Sequence, residues 1–331
     1  MKEMDKFIRL SIYAAFVFMV AMFLAAPVSA ADTSCKTKYP IILAHGMGFT
    51  PSAAYPNSFP GIYEALKACG ADVHYTTVPA IASTRDKSTA FKAGFLAIQS
   101  QYPAGTKFNI FGHSHGAVYT RDAISNLGLA PYVASWTSVD GVNHGSYIDQ
   151  IELDIVALFP SIKSLLAGAL PFTGDPAQLD ANDLDLSVNY MTKTFNPNTP
   201  NMPGIYYQSW TCAYRYYDVL KAYWDGINMI VNALKGEPTT INTDPAALAK
   251  ALYDVLPDLA TEAYLLGGGL GDGLVQVNSA KWGNFLGTQM GPWYSKGLNH
   301  IDAVNIQVYG QVWDAVSYWK QTVKDLKAKG Y

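Results

Sequence analysis

Charge is scarce in this chain of 331 residues. Asp, Glu, Lys and Arg make up 15% of it, and 23 basic against 26 acidic residues leave a formal net charge of −3. Beyond the first nine positions there is no basic run, so no nucleic-acid partner is expected. Cysteine is nearly absent: there are three, with no CxxC spacing and none beside a histidine. A zinc site or thiol catalysis is therefore not expected. Cys35, Cys69 and Cys212 allow at most one internal disulfide, and spacing does not say which pair forms. Only six histidines are available for proton transfer. What the chain has in quantity is apolar surface, with half of its residues hydrophobic and 22 Tyr, 14 Phe and 7 Trp among them. That composition excludes disorder, a collagen-like repeat and a coiled coil, and it supports a large core.

Lys2, Lys6 and Arg9 precede an uncharged apolar run at 10–26, and Pro27, Val28, Ser29 and Ala30 place small residues at −3 and −1 of a cut after Ala30. This pattern reads as a secretory signal peptide over residues 1–30. The mature chain 31–331 then carries 20 basic and 24 acidic residues, a net −4, and is expected to be secreted, extracellular or periplasmic. The alternative is an uncleaved anchor, since spanning a bilayer takes at least about 17 apolar residues. A lipoprotein is disfavoured because Cys35 lies five residues past the cut. Export implies an oxidising compartment.

Through the mature chain, short apolar runs alternate with helical periodicity. Strands are expected at 39–44, 73–78, 107–111, 133–139 and 204–210. Helices are expected at 61–69, 88–101, 117–127, 217–234 and 245–256, with a long final helix over 301–327. Such alternation predicts an α/β fold, a mainly parallel sheet covered by helices. Between about 146 and 203 the pattern breaks into an apolar helical stretch at 151–170 and then a polar segment rich in Asp, Asn, Thr and Pro. Residues 31–331 are therefore read as one domain with an inserted lid or cap at about 146–203.

Chemistry concentrates at Gly112-His113-Ser114-His115-Gly116. A G-x-S-x-G match arises by chance in roughly one chain in ten of this length, so its context carries the weight. Here it follows an expected strand and precedes an expected helix, as a nucleophile elbow requires. A serine hydroxyl attacks only when a histidine takes its proton, and that imidazole needs a carboxylate to orient it. Elbow enzymes place these partners in the order Ser, acid, His. His45, His74 and His113 precede Ser114, His115 follows too closely, and His144 sits at the next strand end, which leaves His300. Between them, Asp272 in Gly-Asp-Gly-Leu-Val is the preferred acid, whereas Asp254 and Asp258 lie on or beside a helix and read as solvated charges. The oxyanion needs two backbone N–H donors. These are expected from His115 and, in the glycine-rich loop after the first strand, Met47. His45 is read as a structural hydrogen-bonding histidine.

At this point six blocks, YPIILAHGMGF, FGHSHG, SWTSVDGVNHGS, YYQSW, GDGLV and NHIDAVN, resemble in order and spacing those of the secreted bacterial true lipases of the Pseudomonas and Burkholderia type. The resemblance implies an α/β-hydrolase fold, triacylglycerol hydrolysis at a lipid–water interface, Ser114, Asp272 and His300 as the triad, Met47 and His115 as oxyanion donors, and a mobile lid after His144. It also implies a structural calcium ion, Ca2+, held by two aspartates, of which Asp302 matches one and Asp244 is the best candidate for the other. Gln307 stands one place off the family's pattern. The chain departs further at Ala117, where the family has Gly, at Gly141-Val142-Asn143-His144-Gly145-Ser146, where the family has GxPHxGS, and after Met47, where the family has one more residue. The family disulfide has no counterpart here, so a Cys35–Cys69 bond is a different one. A folding chaperone (foldase) stands open as a partner, and a monomer is expected.

Val156, Leu158, Phe159, Ile162, Leu165, Leu166, Leu170 and Phe172 form an apolar face in which only Lys163 is charged, which suits a lid that opens towards lipid. An ordinary core helix is the alternative. The reading is a secreted serine carboxylester hydrolase of the triacylglycerol lipase type that needs no organic cofactor. Its rivals are a short-chain esterase or polyester hydrolase on the same triad, and a non-catalytic surface-binding protein.

Overall fold

The computed structural model describes residues 31–47, 58–150, 153, 181, 184–215, 245–265, 268–310 and 312–331. The leader at 1–30, the lid face from 156 to 172, the helix expected at 217–234 and Asp244 lie outside these residues. The chain divides into two compact units, Met1–Asp32 and Thr33–Tyr331; the second holds the sheet, its helices and the site.

Strands β1 (Ile41–Ala44) and β2 (Val73–Thr76) are linked through helix α1 (Ile62–Ala68), and α2 (Thr84–Gln99) leads to β3 (Phe108–His113). Helix α3 (His115–Asn126), β4 (Val133–Val139), β5 (Tyr206–Cys212), α4 (Pro245–Leu265), β6 (Asn284–Gln289) and α5 (Ala315–Ala328) follow. The six strands pair in parallel in the order β2-β1-β3-β4-β5-β6. Every residue of β1, β3 and β4 is buried, which is why these runs lack the polar alternation of a half-exposed sheet.

Successive side chains point to opposite faces, and two cores result. Ile41, Leu43 and Phe111 meet Ile62 and Leu66 of α1 and Trp319, Val323 and Leu326 of α5. Ile42 and Ile110 meet Phe91 and Phe95 of α2 and Tyr119 and Ile124 of α3. Helices thus cover both sides, and the loops at the carboxyl ends of the strands are left to carry chemistry.

Local chemistry moves several boundaries from those expected. Helix α2 starts at Thr84 because Ser83 caps it, its side-chain oxygen accepting from Asp86 N–H. The long helix expected over 301–327 is not formed. A single 3-10 turn, Asp302–Val304, ends at Asn305 in the left-handed region, and α5 begins only after Asp314, which accepts from Ser317 N–H as its cap. Strand β6 was not expected: its sequence NFLGTQ is only partly buried and broken by Gly287. Cys35 and Cys69 form the disulfide, joining the segment before β1 to the end of α1, and Cys212 is a free, buried thiol. Leu186, Met191 and Phe195, from the polar half of the 146–203 insertion, are buried against Val118 and Val142 of the body.

Candidate active site

Residues 112–116 make the turn from β3 into α3. Ser114 takes φ 56° and ψ −129°, a left-handed conformation that costs a non-glycine residue about 1 kcal/mol or more. The turn is held there by contact on both sides. Ser114 N–H donates to Val139 O of β4. A Cβ on Gly112 would lie 2.6 Å from Gly116, and one on Gly116 would lie 2.3 Å from Ala44 O. The two glycines are what let strand, turn and helix close on the serine.

Asp272 and His300 come together from loops beyond β5 and β6. His300 Nδ1 lies 2.8 Å from Asp272 Oδ2, and His300 N–H also donates to Asp272 O at 3.0 Å, so the two loops are tied by backbone as well as side chain. The second oxygen, Oδ1, accepts from Leu274 N–H and Val275 N–H. Asp272 is wholly buried and His300 nearly so. Burial pushes the imidazole pKa down, but the charge and hydrogen bond of Asp272, with a smaller contribution from Asp140, bring it above its ordinary value. His300 Nε2 has no hydrogen-bond partner among the described residues, and His300 and Ser114 line one cleft.

That cleft encloses about 530 Å³ of space open to solvent. Met47, Val142, Leu186, Leu274, Val275 and Ile301 give it apolar walls around the serine and histidine. Gly46 brings Met47 there, since a Cβ at Gly46 would lie 2.7 Å from Ser114 Cβ. His115 is the first residue of α3, so its backbone N–H stands at a helix N-terminus beside the nucleophile. Its ring turns away, with Nε2 2.9 Å from Thr84 Oγ1.

No known family model matches the chain. It is 36% identical over 130 residues to a triacylglycerol lipase of Pseudomonas fragi, an alignment covering 38% of this chain and 42% of that enzyme. It is 27% identical over 346 residues to a triacylglycerol lipase of Burkholderia plantarii, covering 91% of this chain and 89% of that one. Lipase 1 from Pelosinus fermentans superposes with a TM-score of 0.54 at 15% identity, over 88% of this chain and 99% of that one. The chain has the α/β-hydrolase fold. Its sequence is similar to bacterial triacylglycerol lipases over most of its length.

In this chain the remaining candidates divide clearly. His45 is structural in its contacts: Nδ1 faces Gly46 O, Nε2 accepts from Val78 N–H, and burial lowers its pKa to about 4. Asp254 is exposed and pairs with Lys250 and Tyr309. Asp302 is buried, its Oδ2 accepts from Asn299 N–H, and its Oδ1 has no partner among the described residues. A buried carboxylate oxygen left over in this way is the kind of donor calcium takes. Gln307 is engaged otherwise: its Oε1 accepts from Val312 N–H and its Nε2 donates to Trp313 O.

One further buried carboxyl near the site lies between Ser114 and His300 in the chain and is not among the residues expected from the sequence. Asp140 directly follows β4, is fully buried, and stands near both His113 and His300. Its signal in the sequence is a lone aspartate directly after the expected strand VASWTSV.

Proposed function

We propose that this α/β-hydrolase is an exported lipase that cleaves triacylglycerol esters through an acyl-enzyme. The observation that carries it is Ser114, held on a left-handed elbow in an apolar cleft that it shares with His300, whose Nδ1 is fixed by the buried Asp272. Ser114 Oγ attacks the ester carbonyl while His300 Nε2 takes its proton, then returns it to the departing alcohol. Water next attacks the acyl-serine, with His300 again as base. Asp272 orients the imidazole and stabilises the imidazolium. The N–H groups of His115 and Met47 receive the oxyanion. The apolar walls of the cleft suit an acyl chain.

The leader at 1–30 directs export, and the 146–203 insertion contributes a lid. Asp302 would hold a calcium ion, with Asp244 as the candidate second ligand; the ion would steady the segment that carries His300 and supply no chemistry to the ester. The enzyme works as a monomer.

Turnover of a p-nitrophenyl ester by Ser114→Ala tests the core of this reading. A loss to background with an unchanged circular-dichroism spectrum is expected; retained turnover overturns it. Rates on emulsified long-chain triglyceride against a soluble short-chain ester test the substrate. Preference for the soluble ester, with no rise past the solubility limit, makes it an esterase instead.

A further inference from the structure

Asp140 sits where three independent features of the fold converge. Strands β3 and β4 run in parallel with His113 opposite Val139, so the residue after β4 lies beside the residue after β3, the nucleophile. Asp140 N–H donates to Trp210 O, and its Oδ1 accepts from Cys212 N–H, which fixes the carboxyl over the end of β5. Its φ is 45°, a region in which glycine is the ordinary occupant. The chain therefore keeps a carboxyl at a position where backbone energetics favour having no side chain.

The carboxyl is also incompletely used by the fold. Oδ2 is buried with no hydrogen-bond partner among the described residues, and a buried acceptor left this way costs about 1–3 kcal/mol. One side-chain ligand atom from each of Asp140, His113 and His300 lies within 4.8 Å of the others. The His113 ring is spoken for, since it packs at 4.7 Å from the His300 ring and its Nε2 faces His300 O. The group that gains most from a neighbouring carboxyl is the His300 imidazole when it becomes a cation.

We propose that Asp140 is a second positioning carboxyl for His300, standing behind Asp272 and able to support the imidazolium when Asp272 is lost. This rests on the Ser114, Asp272 and His300 assignment above and adds a fourth residue to it. In the intact enzyme Asp272 holds Nδ1 and accepts two backbone N–H groups besides. Where its carboxyl is ionised, Asp140 adds negative potential from the flank as the Ser114 proton arrives on Nε2. With Asp272 neutralised, Asp140 still has a carboxylate oxygen within 4.8 Å of a His300 ring nitrogen. Burial and the charge of Asp272 raise the pKa of the Asp140 carboxyl, so removing that charge favours its ionised form.

The test uses the full chain with p-nitrophenyl ester as substrate, reading kcat and KM separately and the thermal midpoint alongside. Asp140→Asn alone is expected to lower kcat by about 5- to 50-fold with KM unchanged. Asp272→Asn is expected to keep turnover above the Ser114→Ala background, and the double variant to fall more than threefold below Asp272→Asn. A double variant within threefold of Asp272→Asn overturns the proposal, as does an Asp272→Asn variant already at background, because Asp140 then supplies nothing. Asp140→Ser, which keeps a polar acceptor near Cys212 N–H but no carboxyl, replaces the Asn variant if that one fails to fold. Turnover by Ser114→Ala itself defeats the triad reading as a whole. A silent Ser114→Ala beside an indifferent Asp140 defeats only this inference.

Discussion

The neighbours of Ser114 hold it in a conformation it would not choose, and they are as informative as the proposed partners Asp272 and His300. Its left-handed φ of 56° is imposed by the bond from Ser114 N–H to Val139 O and by the closeness of Gly112 to Gly116. Lys87 shows the opposite bargain. It is buried with Nζ donating to Ala80 O, and burial lowers its pKa from 10.5 to about 7. A base whose folded pKa is depressed leaves the unfolded chain binding the extra proton between those two values, so its penalty on stability shrinks as pH rises from about 7 towards 10.5. The slope from this group approaches about 1.4 kcal/mol per pH unit. Lys87→Met is therefore expected to raise the thermal midpoint at pH 7 and to flatten the rise seen in the parent between pH 7 and 9.5. An equal slope in the two proteins refutes this account of Lys87.

Among elements, the tightest constraint is where α3 crosses β1. A methyl on Gly116 would meet Ala44 O at 2.3 Å, and backbone cannot give way there without moving the oxyanion loop that follows. Gly116→Ala is expected to cost about 2–3 kcal/mol of stability and to lower activity together with it, as read by urea unfolding and ester turnover on one preparation. The disulfide from Cys35 to Cys69 closes a 34-residue separation around β1 and α1. Closing a loop of that length is worth about 3–4 kcal/mol through the unfolded state. Replacing both cysteines with alanine should lower the unfolding free energy by that order and leave KM untouched, since neither residue lines the cleft. A changed KM with unchanged stability contradicts this.

For the molecule as a whole, the arrangement predicts how distant parts depend on each other. His300 lies in a loop that also carries Asp302, and the loop is tied to Asp272 by its own backbone. If calcium holds Asp302, chelation lowers the thermal midpoint of the parent and leaves Asp302→Asn unaffected; no change in the parent removes the calcium site. Much of this organisation was legible beforehand. Residues 133–139 were expected as a strand and are β4, and Ser114 stands at the strand-to-helix turn that its pentapeptide demands. Helix ends were less legible, because caps such as Ser83 and Asp314 depend on a hydrogen bond rather than on apolar period. Strand β6 was invisible because an edge strand is partly exposed and so has little pattern to show.

The sequence by itself determined what local chemistry can specify: the elbow, from three residues whose sizes and torsions permit one turn; the buried strands, from short runs rich in apolar and β-branched residues; and the choice of His300, from a chain with few histidines in the required order. Only the tertiary structure decided which cysteines pair, that Met47 reaches the serine across Gly46, and that Asp140 stands beside His300. Those contacts join residues far apart in the chain through the parallel order of the sheet. No periodicity or spacing along one strand records which strand end will lie next to it.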